Sequence, residues 1–205
     1  MEAVVWSDYL CPWCYVGTDR TALLETLGVR VTPMPFELHP RIPVEGITLR
    51  ERWGESYDRA VAMYARIEEE CNAVGLPFKR PERVPNTRRV LETAECVRQT
   101  WPDAFPALDK AFFAAHFVEG RFLGDPDVVD ELVDAAGADA ATVRKEVDAG
   151  KWFEALRASV EAANDAGATG TPAWFLDNRA LIPGVQARET YERVVSRLIP
   201  SSSPS

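Results

Sequence analysis

The spacing of apolar positions changes its period twice along this chain. Ala3-Val4-Val5-Trp6 is a short continuous apolar run with the composition of a buried strand, followed by the connection Ser7-Asp8-Tyr9-Leu10. From Pro12 to about Leu27 the pattern is helical and is closed by Gly28. Val29-Arg30-Val31 then leads through Met34, Phe36 and Leu38 as a second strand. Together these stretches predict a β-α-β unit. From there to Gly167 the signals are almost all helical, and the stretch is too long to be a loop. Thr48-Leu49-Arg50-Glu51 is a capping box, after which Tyr57, Val61, Tyr64, Ile67, Cys71 and Val74 form one apolar stripe ending near Gly75. A helix from Thr87 carries Val90, Leu91, Ala94 and Val97 up to Pro102, and another carries Leu108, Phe112, Ala115 and His116 up to Gly120. Asp125-Pro126 and Asp139 open two more by capping. Trp152, Phe153, Leu156, Val160 and Ala163 mark a last long helix of this block. Ala173 to Leu176, a turn at Asp177-Asn178 and Ala180 to Ile182 read as a hairpin. A closing helix follows, with Tyr191, Val194, Val195 and Leu198 inward, and the serine-rich end predicts a disordered tail over 201–205.

This order predicts an α/β fold in which a helical insertion, residues 48–150, separates the two parts of a mixed domain, 1–47 and 151–200. The Ala3 strand should be central, with the hairpin to one side and helices over both sheet faces. A chain of 205 residues can bury roughly 70% of its unfolded surface, so no staple is required. Four cysteines are too few for a disulfide scaffold. The balance of 23 basic against 32 acidic residues, formally −9, argues against a nucleic-acid partner. The basic cluster from Lys79-Arg80 to Arg88-Arg89, broken by prolines and Glu82, reads as a solvated loop. Met1-Glu2-Ala3 lacks the basic and apolar regions of a signal peptide, and no run approaches the ~18 apolar residues of a membrane span. The expected address is cytoplasmic, with no membrane partner.

The chemistry is concentrated in Cys11-Pro12-Trp13-Cys14, a dithiol at the predicted start of a helix. Pro12 suits a first helical position. Unpaired amides and the helix dipole there favour a thiolate, typically lowering a cysteine pKa from about 8.5 into roughly the 3.5–7.5 range. Such a pair moves electrons by thiol exchange. Asp8, three residues before Cys11, is a candidate modulator or proton relay, against the plainer reading of a loop hydrogen-bonder. His39 is a candidate proton shuttle, against a structural turn role. Trp13 and Tyr15 are candidates for an apolar rim around the sulfurs, against one of them packing under the hairpin, and Trp13 is the one expected to be exposed. His116, Cys71 and Cys96 read as packing residues, with a Cys71–Cys96 bridge unsupported. A zinc site on Cys11 and Cys14 lacks two further ligands, so no metal is expected. Pro172, which cannot donate to a ladder, marks either a strand start or a specialised turn before the hairpin.

The stretch from Ser7 to Gly17, Phe36-Glu37-Leu38-His39-Pro40 with Pro43-Val44-Glu45-Gly46, and Gly167 to Phe175 with Pro183-Gly184-Val185-Gln186 resemble DsbA-like proteins of the FrnE subfamily, over about residues 3 to 198. The resemblance implies a thioredoxin-like fold with an inserted all-helical subdomain, and thiol:disulfide oxidoreductase activity on a substrate protein or small thiol, without a bound cofactor. It implies that Cys11 is the exposed nucleophile and Cys14 its resolving partner, and that Pro172 is a cis-proline facing the pair. Pro12, Trp13, Thr171 and Pro172 would contact substrate, Thr171 through its backbone. The pair has no intervening histidine, which leaves the direction of exchange open. Relatives of this group resemble 2-hydroxychromene-2-carboxylate isomerases and kappa-class glutathione transferases, so a glutathione-dependent reaction on an aromatic or polyketide molecule is an alternative. Those sites generally carry serine where Cys11 stands. A peptide-binding or chaperone module with a vestigial dithiol is a second alternative, and the assembly is expected to be a monomer or homodimer.

Overall fold

The computed structural model describes residues 1–199; the tail expected to be disordered lies outside them. The first unit is β1 (Glu2–Ser7), α1 (Pro12–Thr26) and β2 (Arg30–Pro35). The last is α8 (Phe153–Asp165), β5 (Ala173–Leu176), β6 (Ala180–Pro183) and α9 (Arg188–Leu198). They form one four-stranded sheet of order β2-β1-β5-β6. β1 runs parallel to β2, with Val5 opposite Pro33, and antiparallel to β5, with Val5 opposite Trp174. The hairpin turns at Asp177 and Asn178, both at positive φ (48° and 53°), the conformation that matches a two-residue turn to the strand twist.

Alternation along β1 sends Ala3 and Val5 to one face, where they meet Leu23 and Leu24 of α1 and Tyr191 and Val195 of α9. Trp6 goes to the other, against Phe36, Ala163 and Ala168. Ser159 of α8 donates to the Pro35 carbonyl at 2.7 Å and so fastens this helix to the edge strand. Helices therefore cover both faces.

Between the halves lie β3 (Ile47–Thr48), α2 (Leu49–Trp53), a 3-10 turn at Gly54–Ser56, α3 (Tyr57–Ala73), β4 (Arg83–Val84), α4 (Arg88–Thr100), α5 (Phe105–Ala114), α6 (Pro126–Ala135) and α7 (Ala140–Asp148). The capping box closes as read: Thr48 Oγ1 accepts from Glu51 N at 3.1 Å, and Glu51 Oε2 accepts from Thr48 N at 2.7 Å. Asp125 and Asp139 cap α6 and α7 through Asp127 N and Thr142 N. Three features depart from the periodicity. Val61 is 37% exposed, although its spacing fits the buried stripe of α3, because that helix buries Ala60, Tyr64, Ile67 and Cys71 and packs Tyr57 and Met63 beside them. Residues 47–48 pair with 83–84 as a short antiparallel ladder within the helical block. The end of α5 widens into a π turn at Ala115–Glu119 before Gly120 takes a left-handed φ of 73°. The lobe shares its core with the sheet domain: Tyr9, Leu10, Cys11, Cys14, Tyr15 and Val16 pack in the same cluster as Phe112, Phe117, Leu132 and Val133.

Candidate active site

Cys11 is the N-cap of α1, with extended backbone (φ −85°, ψ 112°), and Pro12 occupies the first turn, where its missing N–H costs nothing. Cys11 N donates to Asp8 O at 3.0 Å, and Cys11 O accepts from Cys14 N and Tyr15 N at 3.0 and 3.3 Å. This tight turn brings the two side chains together at the end of β1. The Thr171–Pro172 peptide is cis. The Cys11 thiol donates to the Thr171 carbonyl at 3.6 Å. Cys11 is consequently 5% exposed and Cys14 3% exposed, so the nucleophile expected to be exposed is covered. The cover is the chain preceding β5, which lies across the sulfur.

The two thiols differ in proton affinity. A hydrogen bond from the Cys14 thiol lowers the Cys11 pKa, against the opposing effect of burial. Burial, followed by the bond given to Cys11, raises Cys14 well above the ordinary thiol value. The Thr171 hydroxyl is buried without a hydrogen-bond partner among the described residues, and it works to lower the pKa of both neighbouring thiols. Asp8 is fully buried. Its carboxyl accepts from Leu38 N at 2.8 Å and Leu10 N at 3.3 Å, yet burial lifts its pKa to about 6. Its own N–H faces the Cys14 sulfur. Asp8 is thus a loop hydrogen-bonder that also sits beside the dithiol.

Trp13 is half-buried and stands, with Arg66 over its ring at 5.8 Å, beside a groove of about 560 Å³ that Thr171, Pro172, Val185 and Gln186 also line. Tyr15 packs in the lobe, stacked with Phe117 and Phe78, and not under the hairpin; its hydroxyl donates to Pro77 O at 2.7 Å. His39 lies outside the dithiol site. It shares a shallow groove with Arg52 that neither cysteine lines, and its carbonyl accepts from Ile42 N in a turn. His116, Cys71 and Cys96 are buried packing residues, and all four cysteines are free thiols. Among the described residues no three His, Cys, Asp or Glu side chains are grouped to hold a metal ion.

Sequence reasoning missed two pairs beside the site. Tyr9 donates to Asp109 at 2.8 Å, with the Asp109 pKa raised to about 6 by burial. Arg88 binds Glu37 through two nitrogens. Each joins the sheet domain to the lobe across a long sequence separation, where local patterning carries no signal.

A model of the DSBA-like thioredoxin domain matches residues 3–196. The chain belongs to that family. Within the DSBA-like fold, a probable DsbA oxidoreductase of Streptomyces coelicolor is 28% identical, with a TM-score of 0.88 over 100% of this chain and 92% of that one. A 2-hydroxychromene-2-carboxylate isomerase is 18% identical, with a TM-score of 0.75 over 97% and 96% of the two chains. The cytosolic disulfide reductase DsbM of Pseudomonas aeruginosa, solved with GSH, is 18% identical, with a TM-score of 0.66 over 96% and 98%. The last two are likenesses of fold alone. Among the described residues of this DSBA-like chain, no helix is long and apolar enough to cross a membrane.

Proposed function

We propose that this protein is a cytoplasmic thiol:disulfide oxidoreductase that exchanges disulfides with protein or small thiols through Cys11 and Cys14. The observation that carries the reading is the placement of Cys11 and Cys14 at the N-terminus of α1, against the cis Thr171–Pro172 peptide whose carbonyl accepts from Cys11, with Cys11 lowered and Cys14 raised in pKa. An exchange couple needs one sulfur that attacks or leaves as thiolate and a partner that holds its proton until called on.

In the oxidising direction a substrate thiolate attacks Cys11 Sγ of the disulfide form. The new S–S bond forms as the Cys11–Cys14 bond breaks, and Cys14 leaves as a thiolate that takes up a proton. A second substrate thiolate attacks the substrate sulfur of this mixed disulfide and displaces Cys11. The substrate has then lost two electrons and the protein has gained them, and reduction reverses the same steps. The Asp8 carboxyl, buried beside the dithiol with its own N–H toward Cys14, serves as the relay for the Cys14 proton. Trp13, Pro12, Thr171 and Pro172 form the contact surface for the incoming segment, with Thr171 offering backbone groups to an extended chain.

Reduction of an insulin disulfide with a thiol donor tests the proposal. Wild type turns over, Cys11→Ser is inactive, and Cys14→Ser stalls as a trapped mixed disulfide. Equal turnover by Cys11→Ser and wild type overturns the proposal. A glutathione-dependent isomerase needs no second protein thiol, so isomerase turnover surviving Cys14→Ala, without insulin reduction by wild type, assigns the protein to that reaction instead.

A further inference from the structure

Asp8 is enclosed by two dipeptides from different parts of the chain. Glu37-Leu38 follows β2, and Leu38 N donates to Asp8 Oδ2 at 2.8 Å. Thr87-Arg88 opens α4, and the Thr87 hydroxyl, buried without a hydrogen-bond partner among the described residues, faces the same carboxyl. The remaining members of the two dipeptides bind each other. Arg88 Nε lies 3.1 Å from Glu37 Oε1, and Nη2 lies 3.2 Å from Oε2. Asn86 reinforces the join, accepting from Arg88 N at 3.0 Å and donating to Ile42 O at 2.6 Å.

We propose that the Glu37–Arg88 ion pair is a clamp that sets the protonation of Asp8, which makes Glu37, Thr87 and Arg88 positioning residues for the exchange step at Cys14. The proposal rests on the exchange reading above. The clamp acts in two ways. It holds two donors, the Leu38 N–H on the carboxyl and the Thr87 hydroxyl beside it, which favours the anion, and it neutralises Glu37, whose charge opposes that anion. The other groups facing Asp8 are Cys11, Cys14 and Tyr9 from its own loop and α1. Glu92, one turn along α4, is close enough to feel the charges of both Arg88 and Glu37. Glu37 is largely buried, with 11% of its side chain exposed, so its charge is poorly screened.

An ordinary staple between lobe and sheet would give the same distances, and the sign of the effect separates the two roles. Arg88→Ala loosens both donors and leaves Glu37 uncompensated, so the Asp8 midpoint rises. Glu37→Gln removes the opposing charge while keeping a hydrogen-bonding partner for Arg88, so the midpoint falls. Shifts of about half a unit to one unit are expected for each, with Arg88→Lys intermediate. The experiment is an isotope-edited infrared titration of the Asp8 carboxyl in the full reduced chain, with circular dichroism confirming the fold of each variant. Shifts in the same direction, or none, overturn the clamp. Glu37→Gln and Arg88→Lys keep the side-chain volume, so the sign remains readable if Arg88→Ala fails to fold. The titration needs no turnover, so failure of insulin reduction refutes the exchange reading while these shifts test the clamp separately.

Discussion

Cys11 Sγ lies 3.6 Å from the carbonyl oxygen of Thr171, 160 residues further along the chain. The helical lobe intervenes in sequence but not in space, because β1 and β5 are neighbours in the sheet. The contact places the start of α1 and the start of β5 around one sulfur. The same residue turns its hydroxyl on both thiols.

Thr171→Val keeps the shape and the backbone carbonyl but removes that hydroxyl. The hydroxyl is without a partner beside the protonated thiol, and a hydrogen bond given to the thiolate is worth about 1.5–3 kcal/mol, so its removal should raise the Cys11 pKa by about one to two units. Ultraviolet thiolate absorbance against pH measures it. An unchanged midpoint would show that the hydroxyl does not contribute.

Asp8 makes stability depend on pH. Its folded pKa of about 6 lies above the ordinary carboxylate value, so the folded state binds the proton more tightly than the unfolded chain. The stabilising contribution is complete below about pH 4 and is lost as pH rises through about 6. Asp8→Asn removes this dependence. Relative to wild type, the variant should gain stability from about pH 4 to about pH 7, by up to about 3 kcal/mol. Denaturant melts at the two pH values check the sign, and a variant that loses ground at the higher pH contradicts it.

Phe117 is fully buried and packs against Tyr15, at 5.5 Å, and Phe78, at 5.9 Å, in a three-ring cluster. Tyr15 follows Cys14 directly, so this aromatic cluster ties α1 to the lobe. Phe117→Ala should cost about 3–5 kcal/mol in denaturant unfolding. Because the lobe side of the dithiol then loosens, the rate of Cys14 alkylation should increase. A cost below about 1 kcal/mol would mean that the cluster collapses around the gap.

The elements that specify themselves locally were legible in the sequence. The Cys-x-x-Cys pair, the capping box at Thr48, the aspartate caps and the Asp177-Asn178 turn each act through neighbours within a few residues. What patterning could not supply are relationships made by tertiary packing. The burial of Cys11 depends on Thr171, the side on which Tyr15 packs depends on Phe78 and Phe117, and the environment of Asp8 depends on Leu38 and Thr87. Val61 shows the same limit from the opposite side: its spacing fits the stripe of α3, but no partner element covers it.

Gly17 lies on the face of α1 that meets β5. A Cβ added there would sit 3.0 Å from Trp174 Cη2 and 3.3 Å from Pro172 Cγ, closer than side chains normally pack. Trp174 has nowhere to retreat, being fully buried and held by its Nε1 donating to Thr21 Oγ1 at 3.0 Å. Gly17→Val must therefore push α1 away from the chain before β5, at a cost of about 1–3 kcal/mol from overpacking. That movement separates Cys11 from Thr171, so the variant should combine lower stability with a higher Cys11 pKa. Denaturant melts and the pH dependence of iodoacetamide alkylation measure the two effects. Loss of stability with an unchanged thiol pKa would mean that the strain is absorbed within the core and that the approach of α1 to β5 does not govern the sulfur.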